Sequence, residues 1–347
     1  MRKTFSILMI ITVLMGTLAG CSTEGQQVGN DDYDTITMVW YPNESGEDLK
    51  PARAEFGRMI EEATGKKVDH KLTTDYAVAI EALVNGNAHI SWLGAQGYIQ
   101  AHDKNDKLLP LVVNSGKSGT LEDAVYYSWL AVKKGDEEAY KSGSGYSIDN
   151  IQGKKFSFVS NSSTSGFKVP SAAITAYFSK KSEWSNLTQE DLLEGGKDKV
   201  FKEVLFGGSH QGSAVNLLTG KADVAAFCDT CVDAYVEFVD GTKNRSGAIY
   251  KVKDNAANPF NTIPGKAFVL IMATPVLNAP FVVNTEVLSE EDYNTLLELF
   301  TSDEMADNEK IFVPKDSEFV GLFSKKGNER FINIDDSWFN PIRELSN

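Results

Sequence analysis

From Thr35 to Val113, short apolar runs alternate with amphipathic helical stretches, and this alternation confines the chain to an α/β architecture. TITMVWY (35–41), KVDHKL (67–72), HISWL (89–93) and LLPLVV (108–113) read as strands. Pro51 to Thr64 carries Phe56, Met59, Ile60 and Ala63 on one helical stripe, and Gly65 stops it. Asp75 to Val84 places Tyr76, Ile80 and Leu83 at helical spacing and ends at Asn85-Gly86; a shorter helix is expected from Gln96 to Ala101. The run predicts one α/β lobe built on a largely parallel sheet.

The same alternation resumes further on. SGKSGTLEDAV (115–125) reads as a surface excursion and YYSWLAVKKG (126–135) as the strand that enters a second lobe. There KKFSFV, a helix from Ser163 to Phe178, VLFGG, a helix from Gln211 to Leu218 and ADVAAF follow in order. AIYKVKD and KAFVLIMA lead back through Pro259, Pro264, Pro275 and Pro280, and FVVNTEVL with the helix Ser289 to Phe300 rejoins the first lobe. The expected division is a first lobe of residues 35–127 and 268–347 and a second of 128–267, joined by a hinge of two or three crossings around a central cleft. The length of 347 residues suits two domains.

The segment ahead of Thr35 is of another kind. Arg2 and Lys3 precede an apolar run from Phe5 to Leu18, too short to span a membrane comfortably and followed by no charged stop. Leu18-Ala19-Gly20-Cys21 resembles a bacterial lipobox, which implies a signal peptide over 1–20 and a diacylglycerol on Cys21 that holds the protein to a membrane surface. Residues 21–34, polar and Gly-containing, read as a flexible tether.

The formal charge is −14, and −16 without Arg2 and Lys3. That balance argues against nucleic acid and anionic lipid as partners, but not against an anionic ligand, because backbone dipoles bind anions without a net positive field. With Cys21 assigned to lipid, Cys228 and Cys231 remain. A short-loop disulfide, two free buried thiols, or a redox or metal role are all open to the pair. A zinc site would need two more ligands, and His70, His89, His102 and His210 show no pairing with the thiols in sequence.

The stretch with most chemistry is NSSTSG (161–166), directly after a strand and before an apolar helical run. Ser163, Thr164 and Ser165 fall at the expected helix start. There hydroxyls, backbone N–H groups and the positive end of the helix dipole together make an oxyanion cradle. One hydroxyl suffices for an N-cap, so three in series suit either extended capping or anion binding.

Several blocks in order carry a resemblance: YPNES after the first strand, TTDYAVAIEALVNGNAHISWLGAQGY, the STSG turn, GGSHQGSAVNLLTGKADVAA, and a Pro-rich return. Over roughly residues 36 to 300 the chain resembles the phosphonate/phosphite/phosphate-binding lipoproteins of ABC importers, of the type II periplasmic-binding-protein superfamily. The resemblance implies a two-lobed receptor that traps a small oxyanion between its lobes. Its oxyanion-binding positions fall on Tyr76, on Tyr126 or Tyr127, on Ser163, Thr164 and Ser165, and on His210. An acidic position after the ADVAA strand falls on Asp229, where the Phe227-Cys228-Asp229-Thr230-Cys231 run departs from the family's pattern.

Each of these residues also has an ordinary role available, Tyr76 in a helix core, His210 and Asp229 at turns. Their common position just after predicted strands, shared with Glu44, Ser45 and Gln96, favours a ligand cleft. Trp92 lies among the aromatics gathered near strand ends and is counted as a candidate cleft residue. Glu44 and Asp229 would repel an anion unless protonated or paired, so an aminoalkylphosphonate would suit both halves of the site; a cationic or aromatic nutrient is the alternative. No nucleophile elbow or ordered Ser-His-Asp set is present, so no enzyme is expected. No cofactor or metal is called for. The expected partners are a small-molecule ligand, a membrane permease and, through Cys21, the outer face of the cell membrane, with the protein a monomer.

Overall fold

The computed structural model describes residues 33–314, 317 and 319–346. Cys21 and the segment assigned to signal and tether lie outside them. Two sheets organise the chain. The first contains β1 (Thr35–Trp40), β2 (Lys67–Leu72), β3 (Ile90–Trp92) and β4 (Leu108–Asn114). The second takes β5 (Val125–Lys133), β6 (Lys155–Phe158), β7 (Glu203–Phe206), β8 (Val224–Cys228), β9 (Val236–Asp240), β10 (Ile249–Val252) and β11 (Ala267–Leu277). The chain then returns to the first sheet as β12 (Pro280–Asn284) and β13 (Phe331–Asn333), giving orders β13-β4-β12-β3-β1-β2 and β9-β10-β11-β5-β8-β6-β7.

Neither sheet is largely parallel, which corrects the sequence expectation. β1 runs parallel to β2 and β3, and β6 parallel to β7 and β8, but the other pairings are antiparallel. The cause lies in the crossings. β11 and β12 are two nearly continuous strands, one pairing with β5 in the second sheet and the other with β4 in the first, each antiparallel to its partner.

The return crossing also falls later than residue 268, because β11 is hydrogen-bonded in the second sheet as far as Leu277, opposite Val125. Two short segments, 115–124 and 278–279, thus join the sheets. Asn278 pins them together: its N–H donates to the Ala124 carbonyl at 3.0 Å and its Nδ2 to the Asn114 carbonyl at 2.7 Å.

Helices cover both faces of each sheet. On the first, α1 (Lys50–Thr64) and α6 (Glu290–Thr301) bury Phe56 and Phe300 against Phe281 and Phe331, while α2 (Tyr76–Val84) and α3 (Ala95–Lys104) pack Ile80, Leu83 and Tyr98 on the other side. On the second, α4 (Val169–Phe178) sits over Phe156 and Phe158, and α5 (His210–Leu218) over Trp129 and Phe227. Apolar stripes of period 3.6 on the helices and short buried strands are what drive these layers together. No helix among the described residues is long and apolar enough to cross a membrane.

Candidate functional site

The site forms where the carboxyl ends of β1, β3, β6 and β8 face each other across the two sheets. On the second-sheet side the chain leaves β6, turns at Ser160–Ser163 and enters a five-residue π-turn, Thr164–Lys168, that continues into α4. Ser163 caps the turn: its Oγ accepts the Gly166 N–H at 3.1 Å and its carbonyl accepts the Lys168 N–H at 3.0 Å. Gly166 has no room for a side chain, since a Cβ would lie 2.3 Å from Val159 Cγ2. Ser163, Thr164 and Ser165 are all buried.

His210, the first residue of α5, is buried behind Ser163 with Nε2 3.4 Å from the Ser163 hydroxyl. The Cys228 N–H donates to His210 Nδ1 at 3.0 Å. That bond leaves Nδ1 as an acceptor and places the proton of the neutral ring on Nε2, facing the turn. Burial drives the imidazolium form down to about 3, so the ring is a neutral donor at physiological pH.

The first-sheet side supplies aromatic hydroxyls. Tyr41 and Tyr76 stack at 4.0 Å, both buried. The Tyr76 hydroxyl oxygen accepts from Asn43 Nδ2 at 2.6 Å, which turns its own hydrogen toward the cleft. Burial, together with the Glu44 charge, raises the Tyr76 phenol far above its ordinary range. Tyr126 comes from β5, and burial pushes its phenol up to about 12 against neighbouring Ser165 and Thr164. Neutral O–H and N–H donors therefore converge from two sheets, an arrangement suited to a small oxyanion.

Contacts between the two sides hold the cleft closed. Thr164 Oγ1 accepts the Gln96 N–H at 2.9 Å; Asn43 Oδ1 accepts the His210 N–H at 3.0 Å, and the Asn43 carbonyl accepts from Gln211 Nε2 at 3.2 Å. At the rim, the Tyr235 hydroxyl donates to Asp48 Oδ2 at 2.7 Å.

The structure therefore brings together Tyr76, Tyr126, Ser163, Thr164, Ser165 and His210, with Glu44 beside them and Gln96 reached through its backbone. The choice between Tyr126 and Tyr127 resolves by strand alternation. Tyr126 shares a face with Ser128, whose Oγ donates to the Ser165 carbonyl at 2.6 Å, whereas Tyr127 packs with the core around Trp129.

Three further candidates are engaged with the chain itself. Trp92 stacks on Phe281 and edges Phe323, with Nε1 donating to the Ala279 carbonyl, so it packs half-buried against the core of the first sheet. Both Asp229 carboxylate oxygens are engaged, one by the Tyr127 N–H at 2.8 Å and the other by Asn244 Nδ2 at 3.1 Å; burial raises that acid to about 6. Asp229 holds the loop after β8, with both carboxylate oxygens already accepting from the chain itself. Ser45 Oγ donates to the Tyr41 and Thr73 carbonyls and serves the turn after β1.

Asn43 and Tyr41, which the sequence places at the end of the first strand, complete the site with Gln211, whose partners lie on distant segments. The GGSHQG motif did carry a legible signal: a Cβ on Gly212 would lie 2.1 Å from the Gly207 carbonyl oxygen, so its glycines let α5 start directly against the preceding turn.

Cys228 and Cys231 are joined by a disulfide, with Cα atoms 5.4 Å apart. The bridge sits behind the site, since Cys228 N–H holds the His210 ring and the Cys231 carbonyl accepts from Gln211 Nε2 at 3.1 Å. Reduction should loosen both supports and weaken ligand binding about two- to tenfold, the worth of one ordinary hydrogen bond. Titration calorimetry with and without a phosphine reductant checks this, and a Cys228→Ser/Cys231→Ser variant should show no response to reductant.

This is the geometry of a two-lobed receptor that encloses a small ligand. The chain belongs to the family described as ABC transporter, phosphonate, periplasmic substrate-binding protein, whose model matches residues 38–339. The phosphate-import protein PhnD of Mycolicibacterium smegmatis is 28% identical over 204 residues, which are 58% of this chain and 57% of that protein. The chain thus aligns with little more than half the length of that relative. A binding protein component of an ABC phosphonate transporter from Pseudomonas aeruginosa superposes with a TM-score of 0.63 at 20% identity, over 90% of this chain and 86% of the other. PhnD1 of Prochlorococcus marinus, solved with methylphosphonate, gives 0.61 at 15% identity over 90% and 97%. At these identities the two structures speak for the fold, and they agree with a type II periplasmic-binding architecture.

Proposed function

We propose that the protein captures a phosphonate, phosphite or phosphate between its lobes and presents it to the permease of an ABC importer. The observation that carries the ligand class is a set of buried neutral donors at the Ser163 turn: the Ser163 hydroxyl lies 3.4 Å from His210 Nε2 and beside the Tyr76 phenol, and Thr164 follows it in the turn. Donors preorganised in a water-poor cleft favour an oxyanion. The alternative of an aromatic nutrient loses support, since Trp129 is a core residue and Trp92 packs half-buried against the core of the first sheet. Lipidation of Cys21, attachment to the outer face of the membrane and a monomeric state belong to the same proposal, as does the extent of the lobes as units that close about the 115–124 and 278–279 crossings.

The test is titration calorimetry of the protein from residue 33 onward with phosphate, phosphite, methylphosphonate and 2-aminoethylphosphonate, beside a panel of amines and heterocycles. At least one oxyanion should bind, and Ser163→Ala should weaken it about ten- to hundredfold, since hydrogen bonds to charged groups contribute about 1.5–3 kcal/mol. Binding by the second panel alone would overturn the ligand class and keep the fold. Free Asp229 oxygens would have favoured an aminoalkylphosphonate; with both engaged, the unsubstituted oxyanions are expected to bind at least as well as 2-aminoethylphosphonate.

A further inference from the structure

A carboxyl group stands beside this oxyanion site. Glu44 is only 6% exposed, and its Oε2 has no hydrogen-bond partner among the described residues. It follows Asn43, the residue that supports both the Tyr76 hydroxyl and the His210 amide. Gln211, which donates from Nε2 to the Asn43 carbonyl across the cleft, likewise leaves its Oε1 buried without a partner, and so does the Tyr41 hydroxyl, which lies against Gly97 of α3. Buried polar groups are rarely left so, and a cluster of them marks a place where a ligand completes the bonding.

We propose that Glu44 is a ligand-binding residue that acts in its protonated form, its carboxyl O–H donating to the oxyanion held at the Ser163 turn, so that ligand capture carries a proton into the closed site. The inference rests on the oxyanion reading above and specifies how that site tolerates an acid.

The surroundings of Glu44 favour the neutral acid. Among the described residues the one cation facing it is Arg53 of α1, whose guanidinium donates to the Glu44 and Gly46 backbone carbonyls rather than to the carboxylate. Its charge still favours the ionised form, as do hydrogen bonds from Asn43 and the Glu44 backbone, yet burial outweighs them and raises the acid to about 8. The remaining neighbours oppose ionisation or are neutral. Tyr41, Tyr76 and Tyr235 present phenols, Asp48 accepts from Tyr235, Glu47 precedes Asp48, and His210 is uncharged. An oxyanion in the cleft adds a negative charge at short range, which disfavours the carboxylate further and leaves the acid proton with a strong acceptor.

The sign of the linkage follows. Glu44 holds its proton more tightly in the closed, liganded state than in the open one, where water reaches it. Affinity is therefore full at low pH and lost as pH rises, by at most about tenfold per pH unit for a single proton taken up.

Proton uptake on binding of phosphite or methylphosphonate can be measured at pH 7.5 by titration calorimetry in buffers of different ionisation heat. The wild type should take up close to one proton more than Glu44→Gln, whose amide keeps a neutral donor in the same position; subtraction removes the ligand's own titration. Glu44→Gln should bind within about tenfold of wild type and lose the Glu44 part of the pH dependence, whereas Glu44→Ala should bind more weakly than either. Equal proton numbers in wild type and Glu44→Gln, or a hundredfold loss in Glu44→Gln with its fold intact by thermal unfolding, would overturn the proposal. If the variants do not fold, an affinity of the wild type that shows no excess fall with pH beyond the ligand's own titration overturns it alone. Failure of the wild type to bind any oxyanion is a different result, and it refutes the oxyanion reading itself.

Discussion

Asn43→Ala should weaken ligand binding by about a hundredfold or more while leaving each sheet and its helices folded. Asn43 lies in the single 3₁₀ turn Pro42–Glu44 that follows β1, and its side chain does two things at once. Nδ2 donates to the Tyr76 hydroxyl, and Oδ1 accepts the His210 N–H at the start of α5, across the cleft. Alanine removes both. The His210 N–H belongs to the first turn of a helix and has no intrahelical carbonyl to use, so it is stranded in a buried position. One buried unsatisfied group costs about 1–3 kcal/mol, and the Tyr76 hydroxyl also loses the donor that orients it. Because the His210 bond exists only when the two sides meet, its loss penalises the closed state against the open one, and apparent affinity falls with the closed fraction. The check is calorimetry with the best-bound oxyanion, beside thermal unfolding without ligand. Wild-type affinity in Asn43→Ala would mean that the cleft closes without this bond. A large fall in the ligand-free melting temperature would mean that Asn43 serves the fold instead.

How much of this was legible beforehand depended on the range of the interaction. β1 to β4, α1 and α2 follow their apolar periodicity to within a residue or two, because burial of one helix face or one short strand is a local property of the pattern. Ser163 to Ser165 and His210 were legible for a related reason: a strand, a polar turn and a helix in succession put side chains at one edge of a sheet whatever lies opposite. Strand direction was not legible, since nothing local in KAFVLIMATPVL says that it will pair antiparallel with YYSWLAVK, and the expectation of parallel sheets failed there. Tyr126 and Tyr127 could not be separated because a one-residue shift exchanges the faces of a strand. The sequence leaves the part of Trp92 and Asp229 open, because an aromatic near a strand end packs on a core as well as in a cleft, and an acid at a turn satisfies backbone and amide donors as well as a ligand. The position of Asn43 after β1 was legible but its bonds were not, and Gln211 stayed hidden, because these bonds cross between segments about 170 residues apart, 168 in the case of Gln211 to the Asn43 carbonyl.

Gly94→Val should block closure with little effect on the folding of either side. Gly94 caps α3 with φ −62° and ψ 156°, a backbone conformation that valine adopts readily, so the residue is not glycine for conformational reasons. What it provides is room. A Cβ there would sit 2.8 Å from Thr164 Oγ1, and the next nearest atoms, at 3.8 and 3.9 Å, are also Thr164's. The substituent thus collides across the cleft, at the same contact where Thr164 Oγ1 accepts the Gln96 N–H. Overpacking typically costs about 1–3 kcal/mol, and here the open form can avoid that cost. The penalty therefore appears as a smaller closed fraction and an affinity about ten- to hundredfold lower, with Gly94→Ala intermediate. Small-angle scattering gives the direct readout: at a ligand concentration that compacts the wild type, Gly94→Val should remain extended, while its ligand-free unfolding midpoint matches wild type. Full compaction and unchanged affinity in Gly94→Val would show that Thr164 can withdraw from α3 without loss, and the oxyanion would then have to be held by the Ser163 turn and His210 without this contact.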